Sequence, residues 1–172
     1  MKLTVRETAV FGMLGALMYA SKMAMEMLPN IHLLGVFTIA LTIVYRKKAL
    51  YPILVFILIT GLFFGFATWW IPYLYLWPAL WAVTMLLPKD IPEKRKPIVY
   101  MLVCAAHGFL YGTMYAPTQA ILFGMDFRGM LAWIVAGLPF DLIHGVSNFF
   151  CGLLICPIVK VLGHIEKYTS NF

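Results

Sequence analysis

The chain has 172 residues, of which 63% are hydrophobic and 12% charged, with a mean hydropathy of +0.89 and a formal net charge of +6. Soluble domains carry about 45–50% apolar and about 25% charged residues, so this composition excludes a soluble enzyme, a disordered chain and, despite the positive charge, a nucleic-acid binder. What remains is a small polytopic membrane protein, in which roughly 20 apolar residues per crossing leave room for at most about seven spans.

In chain order, Lys2 and Arg6 resemble the start of a signal peptide. Lys22 and Glu26 interrupt the apolar stretch that follows, and no small-residue cleavage site comes after it, so it reads as a retained first span over residues 7–28. Pro29-Asn30 ends it. A short second span, 31–45, stops at Arg46-Lys47-Lys48, and a third covers 49–67. The fourth, 71–87, ends at Pro88, before the polar linker 89–96. The fifth covers 97–115, followed by a loop of mixed character, 117–128. The apolar run beyond Met130 is too long for one straight span, and Pro139 is expected to break it. The sixth span is therefore placed at 139–162, preceded by a short helical or re-entrant piece at 130–138. The expected fold is all-α and integral to the membrane: six transmembrane helices in a single bundle.

Cytoplasmic loops retain Lys and Arg. With the N-terminus inside, Lys2, Arg6, Arg46, Lys47, Lys48, Lys89, Lys94, Arg95, Lys96, Lys160 and Lys167 all fall on the cytoplasmic side. Arg128 alone lies outside, and Lys22 lies within a span. Both termini are expected to be cytoplasmic, in a multi-pass protein of the cell membrane.

Ionisable groups in a bilayer are costly and mark function. On this topology Glu26, His32, Asp141, His144 and Asn148 gather toward the outer side, with Trp69, Trp70, Tyr73 and Tyr75 at the outer turn between spans 3 and 4. At about 100° per helical residue, Asp141, His144 and Asn148 fall within about 60° of one another, beside Gly145 and Gly152. That stripe faces either a ligand or an interhelical hydrogen-bond network. Lys22 and Glu26, spaced i, i+4, can pair within the helix. Trp69 to Trp77 reads either as an interfacial aromatic belt or as a stacking wall for a flat ligand, with Trp77 assigned to packing. His107 reads as an interhelical hydrogen-bond donor or as a ligand contact.

Gly12, Ala16, Ala20 and Ala24 form a smooth ridge on span 1, of the kind that lets another helix approach closely. Cys104, Cys151 and Cys156 lie in apolar runs and read as packing residues. No phosphate-binding loop, zinc-protease pair or nucleophile elbow occurs. The histidine spacing matches no metal motif, and neither a cofactor nor catalysis is expected in this chain.

A six-span chain of this length with both termini inside resembles the substrate-binding S component of an energy-coupling factor (ECF) transporter. The resemblance rests also on Ala16-Leu17-Met18-Tyr19-Ala20, which matches that family's A-x-x-x-A pattern. The third element is the last-span segment Gly137-Leu138-Pro139-Phe140-Asp141-Leu142-Ile143-His144-Gly145-Val146-Ser147-Asn148. The resemblance implies capture of a vitamin-like molecule from outside and association with a membrane T component and two ATP-binding subunits. It further implies toppling of the S component to release its substrate inward. Ala16 and Ala20, extended by Gly12 and Ala24, would meet the T component. Glu26, His32, Trp69, Trp70, Tyr73, Tyr75, Asp141, His144 and Asn148 would lie around the pocket. A small flat heterocycle bearing an amine or hydroxyls suits those residues. A self-sufficient secondary transporter or channel is the alternative, and an intramembrane enzyme using Asp141 and His144 is a third reading.

Overall fold

The computed structural model describes residues 3–170, so Lys2 lies outside the described residues. Among these the chain is all helical and contains no strand. The helices are α1 (Val5–Ala24), α2 (Leu34–Tyr45), α3 (Leu50–Phe64), α4 (Tyr73–Leu86), α5 (Lys96–Phe123), α6 (Phe127–Cys151) and α7 (Ile155–Ser170). Single 3₁₀ turns, Arg46–Ala49 and Gly152–Leu154, join α2 to α3 and α6 to α7.

A capping box starts α1: Thr4 Oγ1 accepts the Glu7 N–H at 3.1 Å, and the Glu7 carboxylate accepts the Thr4 N–H at 3.0 Å. Its buried face, Phe11, Leu14, Gly15 and Met18, lies along α3. Phe11 stacks on Tyr51, Gly15 sits over Val55 and Tyr19 stacks on Phe63, so the two helices run parallel. The Lys48–Glu7 ion pair joins their starts.

α2 ends where Arg46 turns to a φ of 53°, a conformation that costs a non-glycine residue strain. Two bonds hold it there. The Arg46 guanidinium donates to the Met85 carbonyl at 3.2 Å, and the Arg46 carbonyl accepts the Trp81 Nε1–H at 3.0 Å. α2 and α4 therefore finish at the same end of the molecule. That end also carries Lys47, Lys48, Lys89 and the start of α5. The opposite end holds the connections α1–α2, α3–α4 and α5–α6. It is tied by Tyr115 donating to the Trp69 carbonyl at 2.7 Å and Ser147 donating to the Asn30 carbonyl at 3.0 Å.

Three segments are long and apolar enough to cross a membrane: Leu34–Phe64, Lys96–Phe123 and Phe127–Tyr168. Tyr73–Leu86 is apolar but shorter. Many large apolar side chains face outward, among them Leu62, Phe63, Leu86, Ile121, Val135 and Phe150. Such a surface fits a lipid environment, where only fully hydrogen-bonded backbone is tolerated.

Three expected boundaries are corrected. α1 ends at Ala24, short of residue 28. The expected loop 117–128 is helix as far as Phe123, and only a tight turn through left-handed Gly124 (φ +64°) separates α5 from α6. Pro139 does not break the chain, and 130–138 forms the first half of α6. A proline removes one helical N–H and crowds one carbonyl. Here Pro117 and Pro139 are both exposed, while the opposite faces of α5 and α6 are locked together, so packing outweighs the local cost. The α-helical run is interrupted instead by the 3₁₀ turn that starts at Gly152, where an added Cβ would lie 2.9 Å from the Met101 Cα.

α5 and α6 are antiparallel and unusually close. A Cβ on Gly108 would lie 2.8 Å from the His144 carbonyl, and one on Gly112 would lie 2.6 Å from the Asp141 carboxylate. Gly108, Gly112, Ala116 and Ala120 recur every four residues, and α6 covers them. The equivalent ridge on α1 is open: Ala16, Ala20 and Ala24 are exposed, and nothing approaches Gly12. The ridge expected to let another helix approach therefore has no partner among the described residues of this chain.

Candidate functional site

Two long helices held this close present their side chains on both flanks of the seam. Toward the end opposite the lysines, α5 contributes His107, Tyr111 and Tyr115, and α6 contributes Trp133, Asp141, His144 and Asn148. α4 adds Tyr73 and Trp77, and the turn before α2 adds His32.

These side chains form a continuous ring cluster. His32 meets His144 edge to face with centroids 4.6 Å apart, and His144 meets Tyr111 at 4.8 Å. Trp77, fully buried, sits at the centre and contacts His32, Tyr73, His107 and Tyr111. Tyr115 stacks on Trp133 at 6.0 Å with the ring planes 13° apart.

The cluster is short of hydrogen-bond partners. His107 Nε2 lies 3.2 Å from the Leu76 carbonyl, which makes Nε2 the protonated nitrogen and leaves Nδ1 an unpaired acceptor. Asn148 Nδ2 donates to the Cys104 carbonyl at 3.2 Å, while its Oδ1 has no partner. Asp141 Oδ1 accepts the Gly112 N–H at 2.9 Å, and its Oδ2 is unpaired. His32 Nδ1, His144 Nε2 and Trp77 Nε1 are also buried and unpaired. Each such atom costs about 1–3 kcal/mol if it stays unsatisfied, and buried polar groups are normally satisfied. A concentration of them in one region marks a place suited to a polar ligand.

Beside this cluster lies a cavity of about 430 Å³, lined by Asn30, Tyr111, Gly112, Tyr115, Trp133, Ala136, Gly137, Phe140, Asp141 and His144. Pockets for small organic ligands run from about 300 to 1,000 Å³. Asp141 and His144 thus belong to both the cavity wall and the unpaired cluster.

Of the residues expected at a site, His32, Tyr73, Asp141, His144 and Asn148 come together here. Trp69 reaches the cluster through Tyr73, at 5.6 Å. Trp70 turns the other way: its Nε1–H donates to the Ile57 carbonyl at 2.8 Å and its ring packs on Phe66, fastening α3 to the following turn. The Tyr75 hydroxyl donates to the Met114 carbonyl at 2.9 Å and meets Thr118 Oγ1 at 2.8 Å, fastening α4 to α5. Glu26 is exposed beyond the end of α1 and makes no ion pair with Lys22, whose ammonium sits 4.3 Å over the Phe64 ring. Asp141 and His144 form no ion pair either.

Tyr111, Tyr115 and Trp133 were not among the residues expected at a site, and Trp77 was assigned to packing. The small-residue spacing that drew attention to α1 also runs through Gly108, Gly112, Ala116 and Ala120. Reading it there marks the α5 face that meets α6. Among the described residues, no three histidine, cysteine, aspartate or glutamate side chains converge to hold a metal ion. The three cysteines are free. No family model, curated protein or solved structure matches the chain, so the site is read from its own geometry.

Proposed function

We propose that this chain is the substrate-capture subunit of an ECF-type importer. It crosses the cell membrane six times, with both termini on the cytoplasmic side, and takes a small vitamin-like molecule from the outer face. A T component and two ATP-binding subunits then power its delivery.

The observation that carries this reading is the cavity walled by Asp141 and His144 beside a cluster of buried, unpaired polar atoms. A bundle stabilised only by packing gains nothing from such atoms, whereas a binding subunit does. The lysine- and arginine-rich end lies opposite the cavity, and lysines and arginines favour the cytoplasmic side, so the cavity is assigned to the outer half. The exposed Ala16–Ala20 ridge offers a partner helix the same kind of surface that α5 offers α6. The resemblance of the A-x-x-x-A pattern and the last-span segment to those of ECF S components supports the choice of family.

The test is to purify the tagged chain from its own membranes in mild detergent, identifying co-purifying proteins and any retained small molecule by mass spectrometry. Recovery of a T component with two ATPases supports the proposal. Gradient-driven uptake by the chain alone in liposomes overturns it in favour of a self-sufficient transporter.

A further inference from the structure

We infer that the ligand of this cavity is a small organic cation, held by the Asp141 carboxylate and by the faces of Tyr111, Tyr115, Trp133 and Phe140. The inference rests on the binding reading above and narrows it to a charge class.

Asp141 is 6% exposed, and among the described residues it is the only acidic one lining the cavity, which no described lysine or arginine lines. One of its oxygens accepts the Gly112 N–H, the neighbouring Thr113 backbone N–H also lies toward the carboxylate, and Oδ2 completes no hydrogen bond. No ion pair links it to His144, the other titratable group beside it on α6. A buried carboxylate without a counter-charge is costly, and a cation brought beside it removes that cost.

The remaining wall selects the same sign. Aromatic rings carry negative faces, which attract cations and repel anions. Tyr115 and Trp133 stack with planes 13° apart across the α5–α6 seam, and Tyr111 continues the row at 6.1 Å from Tyr115. A bare metal ion does not match this wall: about 430 Å³ is far more than it fills, and aromatic faces are poor ligands for it. The chemistry that fits is an ammonium or a protonated or quaternised heterocycle, with its charge at Asp141 and its apolar body against the rings.

The test compares three probes of similar size with the full chain in detergent at neutral pH: benzylammonium, benzyl alcohol and benzoate. Isothermal titration is run on the wild-type chain and on Asp141→Asn, which keeps an oxygen to accept the Gly112 N–H. The expected result is benzylammonium binding at least about tenfold more tightly than benzyl alcohol, with benzoate weakest. In the variant the benzylammonium preference falls to within about twofold while benzyl alcohol still binds, and the melting temperature is no lower than that of the wild type because an uncompensated buried charge has been removed. Equal affinity of the wild-type chain for benzylammonium and benzyl alcohol overturns the cation assignment and leaves the capture reading standing. A preference that survives in Asp141→Asn overturns the role of Asp141. Absence of binding by all three probes removes the cavity as a ligand site, and the capture reading with it.

Discussion

The Gly112 backbone N–H in α5 donates to Asp141 Oδ1 in α6 at 2.9 Å, and no side chain fits between them. The carboxylate rests directly on the α5 backbone. That approach depends on both Gly112 and Gly108, one turn earlier, where the neighbour is the backbone of α6 itself. Gly108→Ala is expected to cost about 1–3 kcal/mol, since overpacking against backbone cannot relax by a rotamer change. Gly112→Ala should cost less, because the carboxylate can shift, but should disturb the cavity wall. Thermal unfolding of both variants in one detergent checks the order. Equal stability of Gly108→Ala and the wild type would contradict the close seam.

Trp77 separates packing from hydrogen bonding. Trp77→Ala empties the centre of the ring cluster and should cost about 3–5 kcal/mol. Trp77→Phe keeps most of the volume and removes an indole N–H that has no partner in the protein, so its cost should stay under about 1.5 kcal/mol. A melting temperature for Trp77→Phe as low as that of Trp77→Ala would mean that the N–H is internally bonded.

Two adjacent residues of α1 test the open ridge. Gly15 faces α3, with an added Cβ 2.5 Å from Val55 and 2.8 Å from the Pro52 carbonyl; Ala16 is exposed. Gly15→Leu should lower the melting temperature sharply. Ala16→Leu and Ala20→Leu should change stability by no more than about 0.5 kcal/mol, spare ligand binding and abolish transport. Loss of ligand binding with an intact complex would reverse the assigned roles of ridge and cavity.

Orientation can be read by chemical labelling. With native cysteines replaced, single cysteines at exposed Thr68 and Lys94 sit at opposite ends. A membrane-impermeant maleimide applied to intact cells should label Thr68→Cys and leave Lys94→Cys unlabelled until the membrane is opened. The opposite pattern would put the cavity on the cytoplasmic face.

The part of the site legible in the sequence was the part that lies on one helix. Asp141, His144 and Asn148 share a face at the α-helical period, so no knowledge of neighbours was needed to group them. Tyr115 and Trp133 meet only because α5 continues to the Gly124 turn and α6 starts directly after it. Treating 117–128 as a loop and Pro139 as a break hid that meeting. Proline reports a local cost, and the α5–α6 seam that outweighs it is a tertiary fact. Glu26 lies apart from the cluster for the converse reason: its placement took α1 to run to residue 28, and the helix ends at Ala24. The aromatic run after Trp69 divided by turn geometry, with Trp70 and Tyr75 spent on backbone carbonyls while Tyr73 and Trp77 face the centre.

Arg46 gives the two ends of the molecule different mechanical characters. Its side chain grips α4 while its carbonyl receives Trp81, so one residue rivets α2 to α4 through a donor and an acceptor at once. The far end is joined by separate clasps, each from a different residue: Tyr115 on the Trp69 carbonyl, Ser147 on the Asn30 carbonyl, Trp70 on the Ile57 carbonyl and Tyr75 on the Met114 carbonyl. The molecule is built as a vessel whose base is riveted through one two-way residue and whose rim is stitched by several separate ones, and the cavity lies just beneath that rim.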